Sequence, residues 1–171
     1  TASRHLDSNE TYAKELCKEG YTVYADAYDQ SDEDSIRALL GRMKEKSGKV
    51  DILVNNSVLR CVKSYNTSPE AFEESLRVNG TGLFVITRVF GDHMAENGSG
   101  SIINIGSYMG YLGCDDTLYT DLPEMDAFSA PDYFYHKGGM NNLTRFAAAY
   151  YGPKNVRCNY LALGGLFNNQ D

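Results

Sequence analysis

Asp51-Ile52-Leu53-Val54-Asn55-Asn56 lies in the first half of a 171-residue chain, and its reading decides the fold. With Val50 it forms a short apolar run, Val50 to Val54, that reads as a buried strand and ends abruptly on two side-chain amides. Upstream, Ser31 and Asp34 make a capping pattern. Ile36, Leu39, Leu40 and Met43 follow at i, i+3, i+4 and i+7, an amphipathic helix. Earlier still, Tyr21 to Ala25 (YTVYA) is β-prone. Asp7 and Glu10 frame a helix start, with Tyr12, Ala13, Leu16 and Cys17 on one face and Gly20 at its end. Downstream, Ser68-Pro69-Glu70 puts a cap residue before proline and opens a long helix toward Glu96. Ser101 to Gly106 (SIINIG) reads as a second buried strand, Pro131 to Tyr151 as a helix stopped by Gly152-Pro153, and Val156 to Leu161 as a last strand. Strands alternating with helices predict an α/β fold, a doubly wound parallel sheet covered on both faces. Ligands of such sheets bind beyond the carboxyl ends of the strands. Those ends carry Ser3-Arg4, Asp29, Asn55-Asn56, Ser107 and Leu163-Gly164-Gly165.

Composition sets the outer bounds. The chain is 42% hydrophobic and 23% charged, which suits one domain over residues 1–171 with its own core. A net charge of −7 argues against a broad nucleic-acid or anionic-membrane face, and no apolar run approaches a membrane span. Cys17, Cys61, Cys114 and Cys158 make no CxxC, and His5, His93 and His136 are scattered, so no metal site is expected. Reduced thiols suit a cytoplasmic protein.

Tyr133 and Lys137 lie one helical turn apart. An ammonium beside a phenol favours the phenolate and suits the phenol to acid/base work near neutral pH. With 13 tyrosines in the chain, such a pair alone is weak, since chance supplies roughly one. A second pair, Tyr150 and Lys154, has Gly152 and Pro153 between its members, so a continuous helix cannot align it.

The first pair gains weight from its company. Asp29-Gln30-Ser31-Asp32, the Asp51–Asn56 run, Val78-Asn79, Ile103-Asn104-Ile105-Gly106-Ser107, Tyr133 to Gly139, and Asn155-Val156-Arg157-Cys158-Asn159 occur in an order that resembles the short-chain dehydrogenase/reductase family. The resemblance runs from Thr1 to about Asn169 and implies a Rossmann-like fold. It implies an NAD(P)-dependent oxidoreductase interconverting an alcohol and a carbonyl. Tyr133 would be the acid/base, Lys137 its partner on the nicotinamide ribose, Ser107 the residue that holds the substrate oxygen, and Asn79 the holder of a relay water. Cofactor-binding residues would be Ser3, Arg4, Asp29, Gln30, Asn55, Asn56, Tyr133, Lys137 and Gly164. Where the family's acidic residue would accept from a ribose hydroxyl, this chain has Ser3-Arg4, with no carboxylate until Asp7. Arg4 favours NADP(H) over NAD(H), because a guanidinium grips a phosphate in bidentate fashion.

The departures also matter. Ser57-Val58 replaces the family's Ala-Gly, and Leu163-Gly164 its Pro-Gly, which leaves open a non-catalytic dinucleotide-binding or regulatory relative. The gap from Ser107 to Tyr133 is longer than usual. The insertion, 113–130, is acidic with Tyr119, Leu122 and Met125, and reads as a loop near the substrate pocket. Its acceptors suit a sugar-like substrate and disfavour a free carboxylate beside them. The family's Gly-rich turn and first strand, and its last strand, are not found, so the sequence reads as an incomplete domain in which the family's second and third strands lack the central strand that would join them to the fourth. Partners are expected to be a small alcohol or carbonyl substrate and further copies of the chain, as a homodimer or homotetramer paired through the helices Pro69 to Glu96 and Pro131 to Tyr151. Gly138, Gly139 and Ala147 to Ala149 would permit close helix approach.

Overall fold

The computed structural model describes residues 1–115, 117, 120 and 130–165. The insertion expected at 113–130 therefore lies mostly outside the described residues. Five parallel strands and five α-helices alternate as β1 (Ala2–Ser3), α1 (Leu6–Lys18), β2 (Asp26–Ala27), α2 (Glu33–Ser47), β3 (Ile52–Asn55), α3 (Pro69–Leu76), α4 (Leu83–Glu96), β4 (Gly100–Ile105), α5 (Pro131–Tyr151) and β5 (Val156–Leu161). The strands form two sheets, β1-β2 and β3-β4-β5. The break falls where the expected strand order has no joining partner. A cleft of about 440 Å³ lined by Ser3, Tyr28, Leu53, Val54 and Asn56 lies there.

Two cores hold the layers together. Ile36, Leu39, Leu40 and Met43 of α2 pack on Val85, Ile86, Val89 and Phe90 of α4 and on Leu53, so the stripe read from sequence is the one that is buried. Met94, Ile102, Ala147, Tyr151, Val156 and Cys158 join α4, α5 and the larger sheet.

Several expectations change. The larger sheet is covered on one face only: Ile52 and Val54 are 61% and 52% exposed, whereas Ile102 and Asn104 on the other face are fully buried. Tyr21 to Ala25 is not a strand. The ladder forms one step later at Asp26–Ala27, where Asp26 is held by Arg42 and Lys46. On α1 only Ala13 of the proposed face is buried, and Tyr12 and Cys17 are exposed. Asp32, not Ser31, caps α2 by accepting from the Asp34 N–H. Ser68 caps α3 as read, accepting from the Ala71 N–H. The helix from Pro69 to Glu96 is not uniform, because Arg77–Gly82 forms a π-helical turn between α3 and α4. Gly82 within it presses on the Gln30 backbone, where a Cβ would overlap the Gln30 carbonyl. Within the chain, α4 and α5 approach closely at Gly91, which lies against the Tyr151 ring.

Candidate active site

The first turns of α5 carry Tyr133 and Lys137, the pair expected to do acid/base work. Pro131 at the first helical position fixes the start of the helix. Tyr133 is half-buried, and Lys137 is buried on the same face one turn on. The Lys137 ammonium donates to the Ile105 carbonyl (2.5 Å) at the end of β4 and lies 5.5 Å from the Tyr133 ring centre. Burial, then the charge of Arg60, pulls the Lys137 pKa down to about 8.

Ser107 stands just past β4 and opens a short 3-10 turn, Tyr108–Gly110. Its hydroxyl oxygen accepts from the Met109 N–H (3.2 Å), which leaves its proton free to donate elsewhere. The residue that sets Ser107 in place is one that sequence reasoning missed. Tyr160 of β5 accepts from the Ser107 N–H (2.9 Å), and its proton lies between the carbonyls of Ser107 (2.8 Å) and Lys137 (3.2 Å). One phenol thus ties the Ser107 backbone to α5. The signal was available in Gly106, whose position opposite an aromatic residue admits no side chain, since a Cβ there would overlap the Tyr160 ring.

Asn79 sits in the π-helical turn. Its side chain pairs with both backbone polar groups of one residue in the loop after β3, accepting from the Leu59 N–H and donating to the Leu59 carbonyl, each at 2.8 Å. It also donates to Ser75 Oγ (3.0 Å), which in turn bonds the buried Asp132 carboxylate beside Tyr133. Asn79 and Lys137 therefore grip the start of α5 from two sides. Leu59 leads directly to Arg60, whose guanidinium carbon is 5.2 Å above the Tyr133 ring. His136, buried on the same turn, meets the Tyr133 ring edge-on at 5.3 Å.

The expected cofactor residues divide. Arg4, Tyr28, Asp29, Ser57 and Val58 line one cleft of about 190 Å³ at the ends of β1 and β2, joined there by Ser3 and Gln30. Asp29 is held below the usual carboxylate range, first by the Ser31 hydroxyl and backbone and further by the Arg4 and Arg77 charges. The Gln30 side chain is spent on structure, donating to the Val78 carbonyl (3.0 Å) and accepting from the Tyr28 hydroxyl (3.1 Å). Asn55 is likewise turned inward, donating to Asn104 (2.8 Å), which donates to Thr144 (2.8 Å). Asn56 faces the cleft between the sheets, and Gly164 follows Leu163, whose carbonyl accepts from the Tyr108 N–H (3.0 Å).

The second tyrosine–lysine pair is not carried by one continuous helix, since α5 ends at Tyr151, yet its members still meet. The chain turns through Gly152–Lys154, and the Lys154 ammonium lies 4.7 Å from the Tyr150 ring, closer than Lys137 to Tyr133. Burial separates the pairs: Tyr150 is exposed at the helix end, and Lys137 is enclosed. No metal-binding cluster occurs among the described residues, and no described helix is long and apolar enough to cross a membrane.

Residues 1–168 match the family described as short chain dehydrogenase. Among curated relatives, cis-4-hydroxycyclohexanecarboxylate dehydrogenase of Sinomonas cyclohexanicum is 30% identical over 138 residues, 80% of this chain and 50% of that protein. Galactitol 2-dehydrogenase (L-tagatose-forming) of Cereibacter sphaeroides is 32% identical over 70% of this chain and 43% of its own length. A gluconate 5-dehydrogenase from Burkholderia cenocepacia, solved with NADP and tartrate, superposes with a TM-score of 0.81 at 25% identity, over 95% of this chain and 59% of that one. The chain spans about half the length of the curated relatives it matches.

Proposed function

This chain belongs to the short chain dehydrogenase family, and on that premise we propose that its protein interconverts an alcohol and a carbonyl with a nicotinamide dinucleotide. The observation that carries the reading is the pairing at the start of α5: a buried Lys137 ammonium, fixed on the Ile105 carbonyl, beside the ring of Tyr133. Tyr133 gives a proton to the carbonyl oxygen, or takes one from the alcohol. Lys137 supplies a positive charge beside the Tyr133 ring. Ser107, with its proton free, donates to the substrate oxygen and orients it. Asn79 acts at one remove in this reading, by holding Leu59 and, through Ser75, Asp132. Bound, the dinucleotide supplies the hydride.

The cleft of Arg4, Tyr28 and Asp29 fits such a cofactor: a guanidinium, an aromatic ring and a carboxylate suit phosphate, base and sugar hydroxyls in turn. On Arg4 we assign NADP(H) over NAD(H), and Gly164 to the nicotinamide end. The relative solved with NADP supports the dinucleotide class. A sugar-like substrate has support from the galactitol relative. Association into a homodimer or homotetramer is proposed through α4 and α5, whose Phe84, Phe146 and Tyr150 are exposed around one groove. A cytoplasmic setting is the companion proposal.

Turnover of an alcohol panel by the full protein, read with NADP and NAD, tests the reading. Tyr133→Phe should lower kcat by about 100-fold or more while leaving the circular-dichroism spectrum unchanged. Equal turnover in the variant removes Tyr133 from the mechanism, and no turnover in the parent favours the non-catalytic dinucleotide-binding relative. Preference for NAD in the parent removes the Arg4 assignment.

A further inference from the structure

We infer that Arg60 recognises an anionic group on the substrate, and that the substrate is an alcohol or carbonyl compound bearing a carboxylate. The inference rests on the redox reading of the Tyr133 site and adds the substrate class to it.

Arg60 and Lys137 both approach the Tyr133 ring, at 5.2 and 5.5 Å from its centre. Among the described residues neither has a carboxylate partner within salt-bridge distance. Asp132, the carboxylate nearest in sequence, is buried and bonded by Ser75. Two cations thus lie near one ring without a carboxylate salt-bridge partner among the described residues, and the charge of Arg60 adds to burial in lowering the pKa of Lys137. An anion placed by Arg60 would offset that charge. The setting is local, because the chain as a whole carries a net charge of −7.

Arg60 is exposed, so its guanidinium is open to a ligand, yet it is not on a loose tether. Asn79 holds both polar groups of the preceding Leu59 at 2.8 Å, and Val62 on the other side is buried. The base of the side chain is therefore fixed before any ligand arrives, which reduces the entropy lost on binding. A planar guanidinium presents two parallel N–H donors to a carboxylate, and the guanidinium carbon of Arg60 lies 5.2 Å from the centre of the Tyr133 ring. A hydroxy acid would then place its carboxylate at Arg60 and its reacting carbon toward Tyr133 and Ser107. Carboxylate recognition at Arg60 runs against the expectation that acidic residues of the insertion disfavour a carboxylate. Most of those residues lie outside the described ones.

Binding of lactate, 3-hydroxybutyrate, tartrate and cis-4-hydroxycyclohexanecarboxylate, each beside its methyl ester, tests this by titration calorimetry with and without NADPH. At least one acid should bind about tenfold or more tightly than its ester. Arg60→Gln should abolish that preference, and Arg60→Lys should keep part of it. Circular dichroism checks that both variants fold. An ester bound as tightly as its acid throughout the panel overturns the inference, as does a preference that survives in Arg60→Gln. The binding preference is read without turnover. Loss of the Tyr133 mechanism and loss of the Arg60 assignment therefore register in different measurements.

Discussion

His136 shows how much one side chain can govern. Sequence reasoning treats it as a bystander between Tyr133 and Lys137. It is 4% exposed, and among the described residues neither ring nitrogen has a hydrogen-bond partner. Burial, then the charges of Lys137 and Arg60, outweighs the pull of Asp132 and lowers its pKa to about 4. The unfolded chain therefore takes up the proton first, and folding stability falls as the pH drops from about 6.5 toward 4. The loss by pH 4.5 should be on the order of 2 kcal/mol, and nothing is lost above neutrality. Urea unfolding of the parent at pH 7 and 4.5, set against His136→Phe, checks this: the variant should flatten the acid slope. An unchanged slope would assign acid sensitivity to other groups. Lys137 works in a separate window. Its folded pKa lies near 8, below the ordinary 10.5, so giving up its proton adds stability between those values.

At the scale of elements, the π-helical turn Arg77–Gly82 is the piece that sets the loop after β3. Its wider turn carries Asn79, whose amide meets the backbone N–H and C=O of Leu59 in that loop with both an acceptor and a donor. Asn79→Ala should cost about 1–3 kcal/mol in urea unfolding, since it strands both polar groups of Leu59. A loss below a few tenths would mean that water replaces the amide fully. Much of the architecture was legible. The helix Pro131–Tyr151 and the strand Val156–Leu161 have the read bounds, because proline opens the one and a Gly-Pro turn sets off the other. The π-helical turn was not legible, because one wider turn changes neither composition nor the apolar period enough to show. YTVYA misled because β-propensity reports a side chain's fit to a packed sheet, and this stretch has no strand to pair with. Lys137 and Asn79 were readable from local motif. Arg60 was not, because its contact with the Tyr133 ring joins residues far apart in sequence, and Tyr160 left only the indirect signal of Gly106.

For the whole molecule, charge and apolar surface pull in opposite directions. A net −7 keeps copies apart, while Phe84, Phe146 and Tyr150 leave an apolar shelf on α4 and α5. Phe146 is 67% exposed, so it contributes little to the fold. Phe146→Asp should at least halve the mass measured by light scattering, with the melting temperature of the protomer nearly unchanged. A parent that is already a monomer, or a variant of unchanged mass, would remove α4 and α5 as the pairing surface. The uncovered face of the larger sheet has a different consequence. There Ile52 and Val54 stand on β3, which among the described residues is an edge strand, with backbone donors and acceptors in a row. That combination is a nucleation hazard. Solubility of the isolated chain will depend on concentration and time more than on folding free energy, and a preparation that is well folded when dilute should still turn turbid as it is concentrated.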